Sequence, residues 1–180
     1  MFTDSALQLS VAQALNSTTA ASTNVYDVTG AGSGTAPNQI FGNATNFGAD
    51  IGAGGVLYAW FQVTTAFVLN ASTPTLTFQV QAAPASANSA GTYVTLAASA
   101  AYSAAAMPIG ATLILPVPPA VGVITTNLNV KANALPRFYR FNYLIGTNTF
   151  SAGAVNGWLG MTPPTGMVST MYPVNFASGL

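Results

Sequence analysis

The sequence predicts an all-β domain: a jelly-roll-like antiparallel β-sandwich with an extended N-terminal arm and an irregular C-terminal tail. Three observations carry this expectation. Apolar and polar residues alternate with period two over several segments, which gives each segment one apolar face. Clusters of Gly, Pro, Asn and Ser punctuate those segments. No long stretch keeps a helical period. Strands recurring between such turns in a chain of 180 residues fit a single two-sheet sandwich, and eight strands in two sheets is the best count.

Each element has its own signal. Residues 1–24 read as an N-terminal arm or first strand. Leu7, Val11 and Leu15 have helical spacing, with Asp4 placed as an N-cap, but Leu7, Leu9 and Val11 have strand spacing, and the extended reading is preferred. Residues 25–28 form a short strand. Residues 56–69 are apolar throughout, as in a strand buried on both faces. In Thr75 to Gln81, Leu76, Phe78 and Val80 point one way while Thr75, Thr77, Gln79 and Gln81 point the other. Further strands are expected over 93–96, 112–117, 136–145 and 153–161. Turn signals lie at 31–34, 52–55, 70–74, 88–91 and 116–119. The Ala/Ser-rich residues 97–106 fit either a short helix or a loop between sheets. Residues 162–180, with Pro163, Pro164 and Pro173, read as the irregular tail.

Charge is nearly absent. The only charged side chains are Asp4, Asp27, Asp50, Lys131, Arg137 and Arg140, 3% of the chain, where a typical domain has about a quarter. Hydrophobic residues make up 51%, so the chain is not of the disordered type. With no net charge, long-range repulsion between copies is missing and association is favoured. The opening residues have neither the basic nor the apolar region of a secretory signal, which fits synthesis in a host cytoplasm. No apolar run approaches the ~18–20 residues of a membrane-spanning helix, so no membrane partner is expected.

The same scarcity limits chemistry. Without His, Glu or Cys, a Ser–His–Asp or Cys–His triad is impossible, and a Ser–Lys dyad would have to use Lys131. Zinc sites need His or Cys in almost every pattern, and no Asp-rich loop has calcium-site spacing. Gly30, Gly32 and Gly34 imitate part of a phosphate loop, but the Thr-Ala-Pro-Asn that follows breaks the helix such a loop requires. Three bases balanced by three acids make no basic patch, so no nucleic-acid partner is expected. The chain is therefore expected to be neither an enzyme nor a cofactor binder. The triplets at Asn16, Asn43 and Asn70 read as chance matches to a glycosylation signal. Trp60 and Trp158, with Tyr58, Tyr93 and Tyr102, are expected in core packing, with a sugar-stacking platform as the alternative. Arg137 and Arg140, an odd offset apart, are expected on opposite faces of their strand.

Ordered motifs then point to a family. The stretch Ser10-Val-Ala-Gln-Ala-Leu15 is followed by Ser22-Thr-Asn-Val-Tyr-Asp27. Later come Arg137-Phe-Tyr-Arg-Phe-Asn-Tyr143 and Thr149-Phe-Ser-Ala-Gly153. Over about 150 residues this order resembles the small jelly-roll capsid cement (decoration) proteins of short-tailed bacteriophages, although residues 30–49 and the tail look longer than in that family. The resemblance implies a homotrimer on the outer capsid surface of a virion, clamping neighbouring copies of the major capsid protein, with no catalytic residues. The six charged residues become tentative subunit or capsid contacts. Because acids occupy only the first 50 residues and bases only 131–140, at least one Asp is expected to pair with a base of the late strand. Two alternatives stand beside this reading: a carbohydrate-binding β-sandwich for host attachment, and a jelly-roll protein that assembles its own shell.

Overall fold

A computed structural model describes residues 7–16, 19–27, 57–70, 73–86, 89–118 and 136–160. They form strands β1 (Gln8–Ala14), β2 (Ala20–Ala21), β3 (Tyr26–Asp27), β4 (Leu57–Leu69), β5 (Thr75–Ser86), β6 (Ser89–Ala90), β7 (Val94–Ala98), β8 (Tyr102–Ser103), β9 (Thr112–Val117), β10 (Pro136–Gly146) and β11 (Phe150–Gly160), with one 3₁₀ turn at Ala104–Ala106. Every pairing is antiparallel. No helix among the described residues is long and apolar enough to cross a membrane.

The first sheet has the order β1-β11-β4-β9. In the second, β2 and β3 pair with one side of β10, β5 lies on its other side, and β7 and β8 pair with the far side of β5. Taking β2/β3 as one broken strand and β6/β7/β8 as another leaves eight positions in chain order. The sheets then read 1-8-3-6 and 2-7-4-5, which is the jelly roll. The chain changes sheet at almost every connection, so strands far apart in sequence become neighbours.

The core follows from period two. Leu76, Phe78, Val80 and Ala82 of β5 are buried, and so are Ala59, Phe61 and Val63 of β4 and Tyr139, Phe141 and Tyr143 of β10. Phe61 bridges the sheets, with ring centroids 4.8 Å from Phe78 and 4.6 Å from Phe141. Gly157 makes this approach possible. A Cβ there would lie 2.8 Å from Phe141 Cε2 and 3.1 Å from the Tyr143 hydroxyl. Gly153 has the same role at the other end, where any side chain would run into the Phe67 ring.

Two strands depart from their expected burial. The central strand β4 buries only one face deeply; Tyr58, Trp60, Gln62 and Thr64 on the other face are half-buried, not enclosed. Leu9 of β1 and Leu15 just after it are buried, while Val11 is 58% exposed. Register shifts between Gln8 and Gln13, with Ala12 at φ 41°, insert extra residues and break both candidate periods. The Ala/Ser-rich 97–106 segment is neither a helix nor a plain loop: it ends β7, forms β8 and closes in the 3₁₀ turn. The turn signals at 31–34 and 52–55 and the tail at 162–180 lie outside the described residues.

Candidate functional site

The motif residues of the N-terminal region build a polar seam between the two sheets. Ser10, on β1, is fully buried at the edge of the aromatic core. Its hydroxyl donates to Gln13 Oε1 at 2.8 Å and lies 2.7 Å from the Tyr143 hydroxyl. With its one proton directed to Gln13, Ser10 accepts from Tyr143. Gln13 Nε2 donates to the Ala21 carbonyl at 2.7 Å, and Gln13 Oε1 accepts from the Thr23 backbone N–H at 3.1 Å. Ser22 Oγ donates to the Asn24 carbonyl and accepts from the Phe141 N–H, while Asn24 Nδ2 donates to the Gln8 carbonyl. These bonds tie β1 of one sheet to β2 and β10 of the other. The bulge in β1 is held within its own sheet, where the Ala12 N–H donates to Asn156 Oδ1 of β11 at 2.6 Å. Burial pushes the Tyr143 phenol far above its ordinary value.

Beyond the seam, Asp27 and Arg137 form the expected ion pair between an acid of the first 50 residues and the late strand. Arg137 Nε donates to Asp27 Oδ1 and Nη2 to Oδ2, both at 2.8 Å, a side-on bidentate contact. The side chains are 16% and 3% exposed, so the pair is largely desolvated. The hydrogen bond to Asp27 raises the Arg137 pKa above its ordinary value despite partial burial. Asp4, Asp50 and Lys131 lie outside the described residues.

The arginines are not on opposite faces as expected. Phe138 pairs with Asp27 and with Ala83, and the register slips between Pro136 and Phe138. This bulge takes Arg137 out of the alternation. Its guanidinium lies against Asp27 and 4.9 Å from the Phe138 ring, on the outer face that Arg140 shares. Arg140 lies 3.7 Å over the Tyr93 ring and donates from Nε to Gln81 Oε1 at 2.9 Å. Gln81 Nε2 donates in turn to Thr95 Oγ1, and in the next row Asn142 Nδ2 donates to Gln79 Oε1 at 2.7 Å. The outer face of the second sheet is thus a ladder of amides and hydroxyls around one arginine. Among the described residues Arg140 has no carboxylate partner.

The five large aromatics do not form one platform. Trp60 and Trp158 pair directly across β4 and β11 on the outer face of the first sheet, stacked at 4.3 Å and 20°. Both are half-buried, so neither belongs to the core. The Trp60 indole N–H and the Thr64 hydroxyl are buried there without a hydrogen-bond partner among the described residues. Tyr93 sits with Arg140 on the second sheet, and Tyr102 packs near Phe78. The described residues contain no group of three or more Asp that would hold a metal ion.

Two outcomes follow from the seam and the ion pair. Because Tyr143 has its folded pKa raised above its unfolded value of about 10, its contribution is complete below pH ~10 and declines as pH climbs from there towards the folded pKa. Tyr143→Phe is expected to cost about 1 kcal/mol at pH 7 and to flatten the fall of Tm between pH 9 and 11.5, read by circular dichroism. Removing one partner of the ion pair leaves a buried charge or polar group unmatched. Asp27→Asn and Arg137→Met are each expected to cost about 2–3 kcal/mol in urea unfolding, and the double variant less than their sum.

Comparison with known proteins matches the Bbp16 family model to residues 9–159, from β1 through β11. No curated protein matches the chain. The matched span contains the seam, the ion pair and both sheets, and the chain belongs to the Bbp16 family.

Proposed function

We propose that the protein is a structural cement, or decoration, protein: a homotrimer that binds the outer surface of a phage head and strengthens contacts between major capsid proteins. The observation that carries this reading is the outer face of the second sheet. Gln79, Gln81, Thr95 and Asn142 offer hydrogen bonds without charge, and Arg140 is held over Tyr93 with no carboxylate partner among the described residues. Such a face suits a permanent, hydrogen-bonded interface, in which arginine and tyrosine are enriched and charge is depleted. The family name points to a phage-related protein, and the ordered motifs resemble those of capsid cement proteins. An icosahedral shell repeats each binding site many times, so a trimer gains avidity from modest single contacts. In this role the protein needs no cofactor and carries out no catalysis.

A second reading is favoured by one observation: the Trp60–Trp158 stack is on an outer face, where a sugar ring can be received. In that reading the protein is a carbohydrate-binding module for host attachment.

Heads stripped of the protein decide between these readings. Added wild-type protein is expected to sediment with them, to run as a trimer in light scattering alone, and to raise the temperature at which the heads release DNA. Arg140→Ala should weaken binding about 10-fold or more with an unchanged circular dichroism spectrum. A monomer that ignores the heads but binds glycans on an array, and loses them in Trp158→Ala, establishes the second reading. Closed particles formed by the protein alone would replace both with a self-assembling shell.

A further inference from the structure

The outer face of the first sheet is apolar at one end. Across β11, β4 and β9, Gly160, Tyr58 and Pro116 form one row and Trp158, Trp60 and Ile114 the next. Leu113 and Leu115 pack against the core, so Ile114 between them faces outwards with the stacked indoles. The Trp60 indole N–H and the Thr64 hydroxyl, on the same face of β4, are buried with no hydrogen-bond partner among the described residues. Buried donors are met in folded proteins with few exceptions, so these two call for acceptors from elsewhere.

Three stretches of chain adjoin the Tyr58 end of this face, because β4 begins there and β9 and β11 end there. Residues 28–56 must join β3 of the second sheet to β4, and residues 119–135 must join β9 to β10 of the second sheet, so each is fixed at both ends. Residues 161–180 are attached only through β11 among the described strands. They carry no charge, and three of the five methionines of the chain, Met161, Met167 and Met171, lie in them. Thioethers pack favourably on aromatic rings. Pro163 and Pro164 favour an extended backbone that leaves its carbonyls free. From Tyr58 to Thr64 a strand rises about 20 Å, which about seven extended residues cover, and the segment is longer than that.

We propose that residues 161–180 turn back beyond Gly160 and dock along β4 on the outer face of their own first sheet. Methionine side chains then cover the Trp60–Trp158 stack, and backbone carbonyls accept from the Trp60 indole N–H and the Thr64 hydroxyl. The docked segment closes the stack to a sugar ring. This docking is independent of the capsid role.

The test uses the full chain with nitrogen-15 and carbon-13 methionine methyl labels. Its two tryptophans give two indole N–H resonances, assigned with Trp158→Phe, and the methyl groups are assigned with Met167→Leu and Met171→Leu. Nuclear Overhauser contacts are expected from the Trp60 indole proton to the Met167 or Met171 methyl group. Thr64→Val is expected to lower Tm by about 2–4 °C, because it removes a bond that is made; a hydroxyl buried without an acceptor gives the opposite sign. Ending the chain after Thr162 should speed solvent exchange of the Trp60 indole proton about 10-fold or more and abolish the cost of Thr64→Val. If the shortened chain does not fold, the contacts and the Thr64→Val result in the full chain decide. No contact with either methyl group, a Tm raised by Thr64→Val, or contacts seen only between copies carrying different labels would overturn the inference.

Discussion

Phe61 reaches from the first sheet into a group of rings on the second, and the rest of the molecule is arranged around that contact. Phe78 and Phe141 lie within 4.8 Å of it and Tyr143 at 6.1 Å, by ring centroids. Each fully buried ring contributes about 1.5–3 kcal/mol, and each well-placed ring pair about 0.5–1.5 more. A seam hydrogen bond contributes about 1 kcal/mol net. The aromatic contact therefore holds the sheets together, and the seam determines how they close. Ser10 and Gln13 cannot drive the packing, yet without them the Tyr143 hydroxyl would be buried beside Gly157 with no acceptor. Apolar area supplies the energy, and the polar bonds select one register of β1 on β11.

Much of this was legible along the chain. The alternation of β5 predicted which of its residues are buried, because an antiparallel strand with one covered face has no other way to arrange them. The bounds of β9 match their signal for the same reason. What failed were the places where a register shift cancels period two. At β1 the extra residues carry Val11 to the outside, and at β10 the bulge carries Arg137 to the face of Arg140. Such shifts are set by the partner strand and leave no local trace. The Asp27–Arg137 pair was legible, because a chain with so few charges offers few ways to neutralise a buried one. The seam was partly visible as Ser and Gln inside otherwise apolar segments. Its donors and acceptors depended on pairings between the two ends of the chain. The Trp60–Trp158 stack was not legible, since it exists only in the register that sets those residues directly opposite each other.

Scarcity of charge takes on a more definite form in the fold. Two of the six charged side chains neutralise each other behind the bulge of β10, and a third lies over Tyr93 among neutral amides. The described surface is polar through hydroxyls and carboxamides, which bind at short range and do not repel at long range. For the proposed cement role this is an advantage, because a neutral subunit can approach a shell already crowded with its own copies.

Neutrality carries a hazard, and the sheet borders answer it. A sandwich with no net charge has nothing to keep the exposed border of one copy from adding to that of another, the usual route to fibrils. In the first sheet one border is β1, kinked at Ala12, and the other is β9, where Pro116 has no N–H to offer an incoming strand. In the second, the borders are broken into β2 with β3 on one side and β6, β7 and β8 on the other, pieces of two to five residues. Among the described residues none presents a long, flat ladder of free backbone groups. The irregularities that hid parts of this fold from its sequence thus do at the sheet borders the work that charge does in other β proteins, denying a second copy a ladder to extend.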